Sequence, residues 1–330
     1  MNGPPLGDYS NVAVLIPCFN EAPSIAQVIT SFRAALPGAT VYVYDNNSTD
    51  ETVSFALHAG AVVRSEPQRG KGYVVRRMFA DIEAEIYVMV DGDGTYDAAA
   101  AEHMVRTLIE HNLDMVNGRR IATGSGSYRR GHRFGNWFLT SAVASIFGNR
   151  IHDMLSGYKA LSRRFVKSFP CLSTGFEIET EIAVHALELV MPIEEIPIAY
   201  CERDHGSNSK LRTVRDGVRI GWTILQLLRA ERPLRFFGVI FAVLALASSA
   251  IGVRLLLDWQ ATGLVLRMPS AVLCTGMMLL AFLSAACGMI LEIVTLGRRE
   301  NKRMVYLSVP RAISIVGRAH GATGTAAFHP

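Results

Sequence analysis

The sequence predicts an α/β protein: a mixed, mostly parallel, doubly wound sheet, followed by an interfacial helix and two membrane-crossing helices. Three observations carry this reading. Short apolar, β-branched runs alternate with helix-length segments through the first part of the chain, the pattern of βαβ units. One run, Ile86-Tyr87-Val88-Met89-Val90, ends directly in Asp91-Gly92-Asp93. Beyond about residue 231 lie two apolar stretches, 236–253 (continued by 255–257 after Arg254) and 270–291. Each is near the ~20 residues a helix needs to cross a hydrocarbon core.

The elements follow in order. Residues 12–16 form a buried strand, and 23–36 a helix opened by Pro23 and Ser24. Residues 40–44 are a second strand; 50–58 form a helix with an acidic first turn, which its dipole favours. A short third strand spans 61–64 and a helix 73–84. The fourth strand is 86–90, followed by a helix at 98–112 and a strand at 114–116. The stretch 214–230 is amphipathic and reads as an interfacial helix leading into the first span.

The chain has 330 residues, half of them hydrophobic, and a net charge of +4. Its mean hydropathy of +0.23 is high for a soluble enzyme, and the excess sits in the two C-terminal stretches. Arg229, Arg232 and Arg235 precede the first span; Arg298, Arg299, Lys302 and Arg303 follow the second. The positive-inside rule therefore puts both ends in the cytoplasm and the short loop outside. The resulting division is a cytosolic domain over 1–211, an interfacial helix over 212–234, spans at 235–257 and 270–296 with an external loop at 258–269, and a basic, partly disordered cytosolic tail at 297–330. The first residues lack a basic-then-apolar signal, which keeps the large domain cytosolic. The five cysteines include no C-x-x-C, so they read as reduced residues and not as a zinc site. No basic surface interleaved with aromatics points to nucleic acid.

Ligands of open α/β sheets collect at the carboxyl ends of strands. Asp91 and Asp93 stand there, and an Asp-x-Asp can hold a hard divalent cation through oxygen. Three further loops join the same edge: Ile16-Pro17-Cys18-Phe19-Asn20-Glu21, Asp45-Asn46-Asn47-Ser48-Thr49-Asp50 and Gln68-Arg69-Gly70-Lys71-Gly72. A carboxylate after the second strand can accept from a base N–H or a ribose hydroxyl. Gly-Lys-Gly lets backbone and ammonium approach a phosphate. Together they describe a nucleotide-diphosphate pocket. A dinucleotide site is excluded, since no G-x-G-x-x-G follows the first strand.

Those motifs, with Asn117-Gly118-Arg119-Arg120, Asp153-Met154-Leu155-Ser156-Gly157-Tyr158, Gly175 to Glu181, Glu195-Ile196-Pro197 and Arg203 through Lys210, run in order over about residues 12–211. In this the chain resembles glycosyltransferase family 2, in particular its polyprenyl-phosphate (dolichyl-phosphate mannose synthase-like) branch. The resemblance implies a GT-A, Rossmann-like fold, a homo-oligomer, and inverting transfer of one sugar from a nucleotide sugar to a membrane polyprenyl phosphate, undecaprenyl or dolichyl.

It also implies roles. Asp91, Asp93 and Asp153 are the catalytic candidates, with Asp91, Asp93 and Thr95 on a divalent cation, Mg²⁺ or Mn²⁺. Pro17, Asn20, Glu21, Asp45, Asn47, Gly70, Lys71 and Asp91 face the donor, with Arg203 and Lys210 on its diphosphate. Arg119 or Arg120, with Arg129, Arg130 and His132, form the acceptor-phosphate cluster. The chain departs from the branch at Asp45-Asn46-Asn47, where a second carboxylate is usual, and at Thr95, where Gln is common. Both turn the donor from GDP-mannose, which stays open, towards UDP-glucose or UDP-N-acetylglucosamine. Two rival readings remain. A processive polysaccharide synthase is matched only in part by Gln226-Leu227-Leu228-Arg229; a non-catalytic nucleotide-binding membrane scaffold would keep the fold without the chemistry.

Overall fold

The computed structural model describes residues 9–122, 151–175, 177–201, 225–226, 228–265 and 267–310. The chain forms two compact units, one joining Met1–Leu211 with Lys302–Pro330, the other comprising Arg212–Asn301.

In the first unit every element predicted between residues 12 and 116 is present: β1 (Val12–Cys18), α1 (Ile25–Ala35), β2 (Thr40–Asp45), α2 (Thr52–His58), β3 (Val62–Ser65), α3 (Lys71–Asp81), β4 (Ile86–Met89), α4 (Ala100–Glu110) and β5 (Met115–Ala122). After them come β6 (Lys159–Ser162), α5 (Arg163–Ser168), α6 (Ile178–Glu188) and β7 (Ile193–Tyr200). The sheet order is β3-β2-β1-β4-β6-β5-β7. Strands β1 to β4 are mutually parallel, while β6 runs antiparallel between β4 and β5. The expected strand at 114–116 extends to Ala122 because β7 pairs with its whole length.

Burial explains the layers. Helix α1 buries Ile25, Val28, Ile29 and Phe32, and α4 buries Ala101, Met104, Val105 and Leu108. Both sets follow the i, i+3, i+4, i+7 spacing of one apolar stripe. They pack with Val14, Ile16, Val43 and Val88 in a single core cluster on one face of the sheet. On the other face Phe79 of α3 sets its ring edge against Tyr87 and Phe169, centroids 6.2 and 6.0 Å away.

The second unit contains α7 (Pro233–Thr262), and α8 (Met268–Ser308) begins in it. Both helices are long and apolar enough to cross a membrane, with mean hydropathies of 2.4 and 2.2 over their most apolar windows. Leu246, Val272 and Ile293 are each more than two-thirds exposed, as lipid-facing side chains would be. Gly263 ends α7 in the left-handed region, its N–H bonded to Trp259 O. Helix α8 runs past residue 296, where the sequence reading starts a tail, through Arg298, Arg299, Lys302 and Arg303 to Ser308. Most of the predicted interfacial segment, and the tail beyond residue 310, lie outside the described residues.

Candidate active site

Parallel pairing of β2, β1 and β4 brings their carboxyl ends side by side, and the register sets Cys18 beside Asp45. The buried Cys18 thiol is pushed well up, first by burial and then by the carboxylates of Glu21, Asp45, Asp91 and Asp93 around it. Four of the sequence-predicted site residues therefore gather at one place. Cys18 itself is an inert centre of that group, a role no sequence signal announces.

The first two loops are sewn together. Asn20 and Asn47 both adopt positive φ, 56° and 64°, which asparagine tolerates better than most residues. Asn20 accepts from Thr49 N through Oδ1 (2.8 Å), and its own N–H donates to Ser48 Oγ (2.9 Å). Glu21 N donates to Thr52 Oγ1 at 2.9 Å. Both Asp45 oxygens accept from Ser48 N at 3.2 Å. Pro17 is half-buried in β1, opposite Tyr44 of β2.

Asn46 explains the missing second carboxylate. Its amide donates to Glu66 O (2.9 Å) and Gln68 O (2.7 Å), while its Oδ1 accepts from Gly70 N (2.7 Å). A carboxylate here would face two carbonyls with nothing to donate. Asn47 adds a bond to Pro67 O at 2.9 Å. Together they tie the β2 loop to the segment that opens α3.

At Gly70-Lys71-Gly72 the structure shows a packing reason for both glycines. A Cβ on Gly70 would lie 2.1 Å from Thr174 O, and one on Gly72 2.0 Å from Ser173 O. The glycines are there because the 173–174 backbone presses on them. Lys71 is almost buried, its Nζ 2.5 Å from Asp91 Oδ1 and 2.6 Å from Glu179 Oε1. Burial opposes the ammonium charge, but the two carboxylates outweigh it and raise its pKa.

Asp91 is 28% exposed, and its Oδ2 lies where a Cβ on Gly157 would come within 2.1 Å. Tyr96 braces that glycine by accepting from Gly157 N at 2.8 Å. Asp93 accepts from Thr95 N (3.1 Å) and Thr95 Oγ1 (2.6 Å). Thr95 is only 1% exposed, so its hydroxyl orients Asp93.

Arg120 and Asp153 come together. The guanidinium donates Nε–H to Oδ2 (2.8 Å) and Nη2–H to Oδ1 (2.7 Å), and stands over the Tyr200 ring at 5.6 Å. The fork expected on an acceptor phosphate is thus spent on a carboxylate. Arg119, its neighbour on β5, points the other way and is exposed. Asn117, Glu179 and Glu195 stand in motifs that the sequence shows but to which it assigns no role, and Lys159 stands in none of them. Lys159 is fully buried in β6, donates to Asn117 Oδ1, and is pushed down to about 8 by burial. Asn117 donates to Asp153 O and Glu195 Oε1, both at 2.8 Å, and Glu195 Oε1 accepts from Asp153 N at 3.2 Å. This clamps the Asp153 backbone on both sides. Arg129, Arg130, His132, Arg203 and Lys210 lie outside the described residues.

Comparison with known proteins agrees with this picture. Residues 13–169 match the family model described as glycosyl transferase family 2. The chain is 38% identical over 248 residues to the glycosyltransferase AglJ of Haloferax volcanii, covering 74% of this chain and 80% of that one. It is 27% identical over 226 residues to a dolichyl-phosphate hexose transferase of the same organism, covering 68% of this chain and 96% of that one. Among solved structures, glucosyl-3-phosphoglycerate synthase of Mycobacterium tuberculosis, in complex with Mn²⁺, UDP and phosphoglyceric acid, superposes with a TM-score of 0.54 at 24% identity. That match covers 66% of this chain and 77% of the other, and at such identity it speaks for the GT-A fold alone. The strand-end carboxylates, the fold and the AglJ-like sequence converge: this chain belongs to glycosyl transferase family 2 and is a glycosyltransferase.

Proposed function

We propose that the enzyme transfers a single sugar, with inversion, from a nucleoside-diphosphate sugar to a membrane polyprenyl phosphate. The observation that carries this is the joining, in one chain, of a strand-end Asp-x-Asp domain to two helices long enough to cross a membrane. The dolichyl-phosphate hexose transferase relative supports the lipid acceptor. The departures at Asp45-Asn46-Asn47 and Thr95 favour a UDP-sugar, glucose or N-acetylglucosamine, over GDP-mannose.

Two carboxylates with hard oxygens fit Mg²⁺ or Mn²⁺, since such ions take one or two carboxylates and complete their shell with water and phosphate oxygens. Among the described residues no group of three His, Cys, Asp or Glu could hold a metal; the donor's diphosphate would complete the shell around Asp91 and Asp93. Held there, a cation would neutralise the departing nucleoside diphosphate. The chain's residues do the rest by placement. The Asn20, Asp45 and Asn47 loops, with Pro17, Glu21 and Gly70, form the nucleoside side of the pocket. Arg203 and Lys210 bind the diphosphate. Arg119, Arg129, Arg130 and His132 hold the acceptor phosphate, which is already anionic near neutral pH and needs no strong base. Asp153, paired with Arg120, is a further candidate for the catalytic site. The basic residues flanking the two apolar stretches support an orientation with the catalytic unit on the cytoplasmic side.

Membranes carrying the enzyme, incubated with radiolabelled UDP-glucose, UDP-N-acetylglucosamine or GDP-mannose plus polyprenyl phosphate, should move label into the organic phase with one donor. Chelation should stop it, and Asp93→Asn should retain less than about a tenth of the rate, for loss of a charged ligand. Label in a water-soluble polymer would point to a processive synthase. Neither transfer nor donor hydrolysis with any donor would leave a scaffold.

A further inference from the structure

We propose that Lys71 is the resident counter-cation of Asp91, an ammonium that a divalent cation has to displace and that thereby makes cation binding wait for the nucleotide. The inference rests on the reading that Asp91 holds the cation.

The Lys71 ammonium lies between two carboxylates, Asp91 Oδ1 at 2.5 Å and Glu179 Oε1 at 2.6 Å. The Lys71 and Glu179 side chains are 9% and 10% exposed, so little water reaches the ammonium. Such charge-assisted bonds in a desolvated place are far stronger than a surface ion pair.

The backbone that carries Lys71 is fixed. Gly70 has a φ of 138°, and both flanking glycines are in contact with the Ser173 and Thr174 carbonyls. That segment is itself held from α6, where Glu181 accepts from Leu172 N (2.8 Å) and Ser173 N (2.7 Å). Nor can Asp91 swing aside, since Gly157 closes on its Oδ2. A hydrated cation entering the nucleotide-free protein therefore meets a carboxylate already neutralised, and has little reason to shed its water. The donor's diphosphate changes the balance by adding negative charge beside Asp91. Glu179 keeps Lys71 compensated when the cation takes Asp91 from it. Glu179 thus has a purpose although it touches neither cation nor donor.

The test is Mn²⁺ binding to the full-length protein in detergent, followed by electron paramagnetic resonance of free Mn²⁺ with and without UDP. Wild type should bind Mn²⁺ weakly alone and at least about tenfold more tightly with UDP. Lys71→Met combined with Glu179→Gln removes one charge of each sign and leaves the local net charge unchanged. It should bind Mn²⁺ without UDP about ten- to a hundredfold more tightly than wild type, the worth of one charged hydrogen bond, and the further gain on adding UDP should be smaller than in wild type. Lys71→Gln, which leaves a neutral donor between the carboxylates, should move the same way and decides the matter if the double variant does not fold. Unchanged nucleotide-free affinity in a folded variant, with wild type still binding Mn²⁺ through UDP, overturns the role of Lys71. If wild type with saturating UDP binds no Mn²⁺, the cation reading itself fails, a result distinct from the first.

Discussion

Gly157 shows how much a single missing side chain can matter. Its motif, Ser-Gly-Tyr, reads locally as a turn, yet the hydrogen at its Cα is what leaves room for Asp91 Oδ2. Gly157→Ala should rotate that carboxylate and lower kcat about a hundredfold, the usual cost of a misplacement near 1 Å. Initial rates and the unfolding midpoint measured together would show it; a kcat within about twofold of wild type would mean the carboxylate has slack. Asp153 carries a second prediction. Burial alone would raise its carboxyl, but the Arg120 fork and charge outweigh this and hold it below the usual range. Its stabilising contribution is therefore complete above the unfolded value, about 3.9, and is lost as pH falls through the lowered folded value. Asp153→Asn should cost about 3–5 kcal/mol at neutral pH, by stranding a largely buried guanidinium. The gap to wild type should narrow below about pH 4 in thermal melts, and a gap constant with pH would contradict the pairing.

Among the elements, the start of α3 is the most constrained. The sequence reads Gly70-Lys71-Gly72 as a phosphate approach; the fold uses it as a seat for the 173–174 backbone and a mount for Lys71. Gly72→Ala would put a methyl 2.0 Å from Ser173 O and push that segment away. Glu181→Ala should loosen the same segment from the other side, by releasing Leu172 N and Ser173 N. Both variants should raise the KM for the nucleotide sugar several-fold, and the double variant should add little, because coupled residues acting on one segment are not additive. Full additivity would separate the two contacts. Strand β6 shows the opposite case of a feature without local warning. Its four residues, Lys159 to Ser162, are all buried and include a lysine and a serine, so neither alternation nor apolar content marks a strand.

For the whole molecule, the end of α8 matters beyond its apolar span. Tyr306 donates to Asp114 Oδ2 at 2.7 Å, and Arg164 stands over its ring at 4.9 Å. Lys302 reaches Glu188 at 2.6 Å. Lys302 onward thus belongs to the same compact unit as the catalytic residues. Tyr306→Ala should cost that unit about 2–4 kcal/mol through the lost charged hydrogen bond and cation–π contact. The midpoint should fall by roughly 5–15 °C. A fragment ending at Leu211 should melt lower than the full chain for the same reason, and equal melting would make the α8 contacts incidental.

By itself the sequence determined the order of β1 to β5 and α1 to α4, the carboxylates at the end of β4, the family, and the two apolar helices. Each of these is written in a short window, as hydropathic period, turn chemistry or a contiguous motif, and windows survive without knowledge of distance. Only the tertiary structure decided which charge meets which. Lys71 pairs with a residue 108 positions away, Arg120 gives its fork to Asp153, and Asn46 donates to the Glu66 carbonyl. The Asn46 bonds follow from the pairing of β2 with β3, and the Lys71 pair from where α3 and the helix at 178–188 stand in the assembled fold. An ion pair depends on a few ångströms set by the assembled sheet, and no local pattern encodes that separation.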